Sequence, residues 1–240
     1  IAHWQLGVHR LVIGELAEAQ SYLERAVAAY DAERHHPLTF RFGMEPGVMS
    51  LAALAWVLWM LGYPEQALAR SQEALALAEA LAYPPGVAMA QSYASGFHTS
   101  RRDWRAAQES AEAVMRISAK HGLLYWRTAG LVCRGRALAH RGAFEEGIAH
   151  IHRGLAEGRD MGAEVLTVLQ FVLLAEACGE AGRFEEGLTA AEDALDVVRH
   201  TGERFYEPEA HRLRGELLWA LTGDGAEAEA CFRRAIKLAH

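Results

Sequence analysis

No run of eighteen apolar residues occurs anywhere in this 240-residue chain, which excludes a bilayer-spanning helix. The most apolar window, residues 51–61, is too short to cross. Lysine and arginine never stand more than two together, and 31 acidic residues against 24 basic leave a formal charge of −7. A polybasic membrane anchor and the basic footprint of a nucleic-acid binder are therefore both missing. No secretory leader is expected. Cysteine is scarce: Cys133, Cys178 and Cys231 stand alone at helix-core phase, with no CxxC pair and no Cys/His ligand spacing. They read as buried small hydrophobes in a reducing cytoplasm, the expected location. No serine lies in a Gly-x-Ser-x-Gly turn, and no nucleophile constellation appears. The chain is expected not to be an enzyme and to carry no cofactor or metal.

Helix-forming residues are what the chain has in quantity. Ala, Leu, Glu and Arg dominate, prolines number only six, and 51% of residues are hydrophobic. One short pattern recurs six times, anchored on Gly14, Gly62, Arg102, Gly142, Gly182 and Gly223, with steps of 48, 40, 40, 40 and 41 residues. Five positions past each anchor stand Ala19, Ala67, Ala107, Gly147, Gly187 and Ala228. Thirteen past stand Val27, Leu75, Met115, Leu155, Leu195 and Ile236. Seven before stand Gly7, Ala55, Ser95, Gly135 and Ala175, with Gly215 one residue early. A fixed period of this size signals a stacked array rather than one globular core.

Between anchors the apolar residues follow helical spacing, as in Leu51, Leu54, Ala55, Leu58 and Leu61. Gly62-Tyr63-Pro64 breaks that stripe, with Pro at the first position of the next helix. Each repeat is thus a helix A and an antiparallel helix B, brought close by the small residues on either side of the turn. The repeats are expected at 1–31, 46–82, 85–120, 123–160, 163–200 and 204–239, within one domain spanning 1–240, and no strands are expected. Gly122, Gly162 and Gly202 are placed to close the B helices. About eight extra residues fall between the first two repeats, within 34–47.

The small–turn–alanine offsets resemble the tetratricopeptide repeat, in its long-helix, MalT-like form. Two stretches sharpen the likeness: residues 41–48 leading into Ala55-Trp56-Val57-Leu58-Trp59-Met60-Leu61-Gly62-Tyr63-Pro64, and residues 201–207 followed by His211-Arg212-Leu213-Arg214-Gly215-Glu216-Leu217-Leu218. They are similar to the C-terminal region of bacterial multidomain proteins that join a class III cyclase domain, a signal-transduction ATPase domain and a repeat tail. The resemblance implies an all-α, right-handed α-solenoid of about six antiparallel helix pairs, a tetratricopeptide-like superhelix. No Gly-x-x-x-x-Gly-Lys-Ser/Thr loop is present, so this chain lacks the residues for the ATPase chemistry of such proteins. It begins at Ile1 within a helical pattern and is expected to be a piece of a longer protein.

In a stack of helix pairs the A helices line the concave wall. Their inward positions include Trp4, Val8, Leu11, Met49, Trp56, Trp59 and Met60 in the first two repeats, and Ser92, Gly96 and Thr99 in the third. The later repeats supply Arg136, His140, Glu176, Glu180, Glu209, Arg212, Glu216 and Trp219. The wall is expected to be aromatic at one end and charged at the other. Indoles give large contact area and Arg–Glu forks fix polar groups, which suits a peptide, a partner helix or a modest polar ligand. The same tryptophans also read as packing between repeats, and the same Arg–Glu pairs as salt bridges on a solvated face. Phe40, Arg41, Phe42 and Glu45 are candidates for a lid over the aromatic end.

His35 and His36, beside Arg34 and Arg41, suggest a metal or phosphate, but no third ligand is placed by sequence and a solvated loop explains them. His150 and His152 read as surface residues without an acidic partner. Glu145-Glu146 and Glu185-Glu186 sit where negative charge favours a helix N-terminus. The expected function is a non-catalytic protein-interaction scaffold, the repeat tail of a larger bacterial signalling protein. The alternative is a sensor that binds a small effector or peptide in its groove. Expected partners are a protein or peptide, or other domains of the same parent, with no nucleic acid and no membrane. Neither end carries a polar capping helix, so the apolar faces of 1–13 and 225–239 are expected to be covered in the parent protein, and an excised piece is expected to self-associate through them.

Overall fold

The computed structural model describes residues 2–162, 166–223 and 225–239, and of Phe40 and Phe42 only the backbone. The described residues form α1 (Ala2–Val12), α2 (Leu16–Ala28), α3 (Ala32–His35), a 3-10 turn (His36–Leu38), α4 (Thr39–Phe42), α5 (Pro46–Met60) and α6 (Pro64–Ala80). There follow α7 (Pro84–Ser100), α8 (Trp104–His121), α9 (Leu124–His140), α10 (Phe144–Asp160), α11 (Thr167–Glu180), α12 (Phe184–Thr201), α13 (Glu207–Thr222) and α14 (Gly225–Ala239). No strand occurs among the described residues. The architecture is all-α, a succession of antiparallel helix pairs. The chain divides into two compact units, 1–130 and 131–240, with the division inside α9.

Local chemistry sets the helix ends. Proline opens α5, α6 and α7, where its missing N–H costs nothing. The anchors take up left-handed backbone: Gly14, Gly62, Gly142, Gly182 and Gly223 have φ between 67° and 87°, and Arg102 adopts the same conformation at φ 59°. A side chain there costs about 1 kcal/mol or more, which is why glycine recurs at the other turns. Gly122, Gly162 and Gly202 close α8, α10 and α12 in the same way.

In the first unit the A helices α1, α5 and α7 lie side by side, each paired with its own B helix. Helix α5 carries no charge and is buried from Pro46 through Leu58, as a helix apolar on all sides must be. The extra segment before it is not a loop. It makes three short helical turns, fixed at both ends. The Asp31 carboxylate accepts from the Glu33 and Arg34 N–H groups and caps α3, and His35 Nδ1 accepts from the Asp31 N–H. Buried Glu45 caps α5 by accepting from the Val48 N–H at 2.7 Å, and it also accepts from the Tyr30 hydroxyl at 2.8 Å.

In the second unit α11, α12, α13 and α14 pack in chain order, and α13 also touches α11. The small residues of the repeat pattern bring backbones together. A Cβ on Gly135 would lie 2.5 Å from the Gly147 carbonyl oxygen, and one on Gly147 would lie 2.5 Å from that of Gly135. Gly135→Ala is therefore expected to strain the α9–α10 contact by about 3 kcal/mol. About 1 kcal/mol of gained helix propensity offsets this. The net loss, roughly 2 kcal/mol of unfolding free energy, would be read as a lower urea midpoint at unchanged m-value. An unchanged midpoint would show that the two backbones have room to part.

Two buried polar features complete this unit. Glu203, 3% exposed, follows Gly202 and turns its carboxylate toward the first N–H groups of α11, those of Leu166, Thr167 and Val168. All three cysteines are free and buried. Burial pushes the Cys178 thiol up to about 12, so it packs as a hydrophobe. Cys231 accepts a hydrogen bond from Arg214 at 2.9 Å.

Candidate functional site

The densest polar arrangement is on the A helices of the second unit. Arg136, on α9, is 2% exposed. Its Nε donates to Glu176 Oε2 at 3.0 Å, and Nη1 and Nη2 donate to the two Glu180 oxygens at 3.0 and 2.6 Å. Glu176 and Glu180 stand four apart on α11, so one helix face delivers both to one guanidinium. Glu176 Oε1 also lies 3.9 Å from Nη2 of Arg212 on α13. Arg212 is held in turn by Glu209 and Glu216, one turn away on either side. Those bonds raise the Arg212 pKa, with burial opposing them.

Burial grades along this row. The side chain is 3% exposed at Arg136, 19% at Glu176, 39% at Glu180 and 54% at Glu216. A guanidinium withdrawn from water is tolerable only when its N–H groups are met, and the fork to two carboxylates meets them. The buried end is thereby rigid, and the exposed end presents carboxylate oxygens in fixed positions. Four carboxylates face two guanidiniums, so the row is net acidic. His140, at the end of α9, is exposed.

Of the aromatic residues singled out by sequence, Trp4, Trp56 and Trp59 lie in the first unit and are buried or half-buried, whereas Trp219 lies in the second and is exposed. Trp4 is buried at 6% exposure and Trp56 at 3%. Trp56 Nε1 donates to the Tyr93 carbonyl at 3.2 Å, and its ring fills the space that Gly96 leaves on α7. Trp59 is half-buried and meets the Phe97 ring edge-on at 6.1 Å, and Met60 beside it is half-buried too. These rings hold neighbouring A helices together. Of the proposed lid, Arg41 is exposed and Glu45 is the buried cap of α5, while the side chains of Phe40 and Phe42 lie outside the description. His152 does have an acidic partner, contrary to the sequence reading: its Nε2 lies 2.8 Å from Glu186 on the next B helix. Residues 34 apart are adjacent only once the repeats are stacked.

Sequence reasoning missed a cavity of about 350 Å³ in the second unit. It opens between the B helices α10 and α12, over the start of α11. Leu155, Phe171 and Val197 give it an apolar lining, and Arg159, Asp193, Asp196 and His200 give it a polar rim. Burial raises the Asp193 pKa, and nearby Arg159 opposes the shift. Among the described residues the buried Thr167 hydroxyl oxygen has no hydrogen-bond partner. The available signal was Asp193, Asp196 and His200 at i, i+3 and i+7 on one face of α12. Among the described residues no group of three or more His, Cys, Asp and Glu is placed to hold a metal ion. No helix among them is long and apolar enough to cross a membrane.

No protein-family model matches the chain. It is 26% identical over 235 residues to an uncharacterized protein of Rhizobium meliloti (strain 1021), an alignment that covers 95% of this chain and 22% of that protein. The chain thus spans about a fifth of that relative's length. Among solved structures it is similar to PlcR of Bacillus thuringiensis, in complex with the peptide PapR7 and DNA, with a TM-score of 0.66 at 15% identity over 93% of this chain and 78% of that one. It is also similar to a Signal Transduction ATPase with Numerous Domains protein with a tetratricopeptide repeat sensor from Pyrococcus horikoshii, with a TM-score of 0.57 at 18% identity over 99% of this chain and 35% of that one. The apo form of RapI gives a TM-score of 0.58 at 10% identity over 98% and 96%. The fold is therefore that of a tetratricopeptide-like repeat domain.

Proposed function

We propose that this chain is a non-catalytic interaction module, the repeat tail of a larger bacterial signalling protein, and that it docks a peptide or protein segment on the A-helix face of α9, α11 and α13. The observation that carries this reading is the Arg136 fork. It spends a buried guanidinium on holding Glu176 and Glu180 in place and leaves the outer carboxylates of the row turned to solvent. A preorganised acidic row suits a segment bearing lysine or arginine. The solved complex of PlcR with a peptide supports the binding mode, and the tetratricopeptide sensor of the Pyrococcus horikoshii protein supports the signalling context.

The test is selection of peptides from a random display library on the full chain, followed by calorimetry. Selected peptides are expected to be enriched in Lys and Arg. The double variant Glu180→Gln, Glu216→Gln is expected to bind them about tenfold more weakly and with less dependence on salt. Peptides that bind the double variant equally well would remove the row from the interaction. A second reading, a sensor for a small effector, is favoured by the cavity between α10 and α12. A ligand there would stabilise the parent chain thermally, and Phe171→Ala would abolish that shift.

A further inference from the structure

The cavity between α10 and α12 holds two opposite charges with no direct counter-ion among the described residues. Arg159 on α10 and Asp193 on α12 both line it, and both are exposed. Arg159 is near enough to act electrostatically on the Asp193 carboxylate, yet among the described residues neither side chain makes an ion pair or a hydrogen bond. The other polar groups nearby are already engaged. Arg199 holds the Asp196 carboxylate, and His200 is tied through Nδ1 to the Asp196 carbonyl at 2.7 Å. The N–H groups at the start of α11 face the Glu203 carboxylate, so that helix end is not open to another anion. An anion entering the cavity therefore meets Arg159, and a cation meets Asp193. The interior is apolar: Leu155 and Phe171 are buried, Val197 is half-buried, and Gly158 adds no side chain to fill the space. A volume of about 350 Å³ is at the small end of the roughly 300–1,000 Å³ typical of ligand sites, which suits a small metabolite rather than a peptide segment.

We propose that this cavity binds a free α-amino acid with a leucine- or phenylalanine-like side chain. The inference rests on the reading of the cavity as an effector site. The ammonium group sits against Asp193 and the carboxylate against Arg159, one on each wall of the mouth. The side chain lies against Leu155, Phe171 and Val197. Each end of the zwitterion exchanges water for an opposite charge, and the apolar part is withdrawn from water. Keeping both charged groups at the exposed mouth avoids the cost of burying them. An amine alone would leave Arg159 unmatched, and a carboxylic acid alone would be repelled by Asp193. The Thr167 hydroxyl, buried and without a partner among the described residues, and half-buried Gln170 line the same cavity and supply further hydrogen bonds to the head group.

The test is calorimetric and thermal-shift titration of the full chain with L-leucine and L-phenylalanine. Isopentylamine and phenethylamine, which lack the carboxylate, and isocaproate and hydrocinnamate, which lack the ammonium, are titrated beside them. At least one of the amino acids is expected to bind saturably, with its amine and acid counterparts about tenfold or more weaker. Arg159→Gln should weaken the amino acid about tenfold without weakening the amine, and Asp193→Asn should weaken it likewise without weakening the acid. Both positions are exposed, so the far-UV circular dichroism and Tm of the unliganded variants should match the parent. An amine that binds as tightly as its amino acid, or amino-acid binding indifferent to both variants, would overturn the proposal. So would failure of both amino acids to bind. In that event, another small metabolite that shifts the Tm of the parent but not of Phe171→Ala would keep the cavity as an effector site, whereas a metabolite set with no such member would remove that reading as well.

Discussion

Trp56→Ala is expected to cost about 4 kcal/mol of unfolding free energy, because it empties the space between two A helices. The ring is 3% exposed and sits against Gly96, which has no side chain to move into the void. Its loss also leaves the Tyr93 carbonyl without the indole donor. Trp56→Phe should cost markedly less, since most of the ring volume remains. Urea unfolding followed at 222 nm would measure both. An alanine variant within about 1 kcal/mol of the parent would mean that α5 and α7 close over the gap, contrary to the packing described.

Glu203→Gln is expected to stabilise the protein at pH 8 and to flatten its stability profile below that. Burial pushes the Glu203 carboxyl up to about 7 from its ordinary 4.5, while the N–H groups at the start of α11 favour the ionised form and limit the rise. Between those values the unfolded chain has released this proton and the folded chain has kept it. Stability contributed by the group is therefore full below about pH 4.5 and falls as the pH rises toward 7. The slope is at most about 1.4 kcal/mol per pH unit, or about 3 kcal/mol in all. Glutamine keeps an acceptor for the helix N–H groups and removes the titration. Parallel pH profiles for parent and variant between pH 4.5 and 7.5 would show that Glu203 ionises normally in the folded chain.

The helix pairs were legible because the turn needs a residue with positive φ and the pair needs small residues beside it. Both demands recur at a fixed interval. Even Arg102, the one anchor that is not glycine, sits in the left-handed region that its spacing implies. The expected start of α11 is less well matched. The expected fifth repeat opens at 163, the helix opens at Thr167, and residues 163–165 lie outside the description. The Arg136–Glu176 and Arg136–Glu180 contacts were within reach of the sequence, because one repeat period of 40 residues places these groups on adjacent A helices. What lies between Trp56 and Gly96 was not, because an indole fits only where a neighbour happens to lack a Cβ. Nor was the role of Glu45, since a carboxylate in a polar segment gives no sign that it will turn inward to cap the next helix. The cavity was hidden for a related reason. It depends on how far α10 and α12 diverge, and periodicity within each helix does not encode the gap between them.

The α9–α10 crossing, where peptide groups meet with no side chains between them, has a mechanical corollary. Such a joint has no compressible padding and no alternative rotamers, so it cannot absorb displacement. These two helices should therefore travel together as one rigid lever. Any give within 131–240 must come from places where side chains can slide past one another, such as the opening beside Asp193 and Phe171.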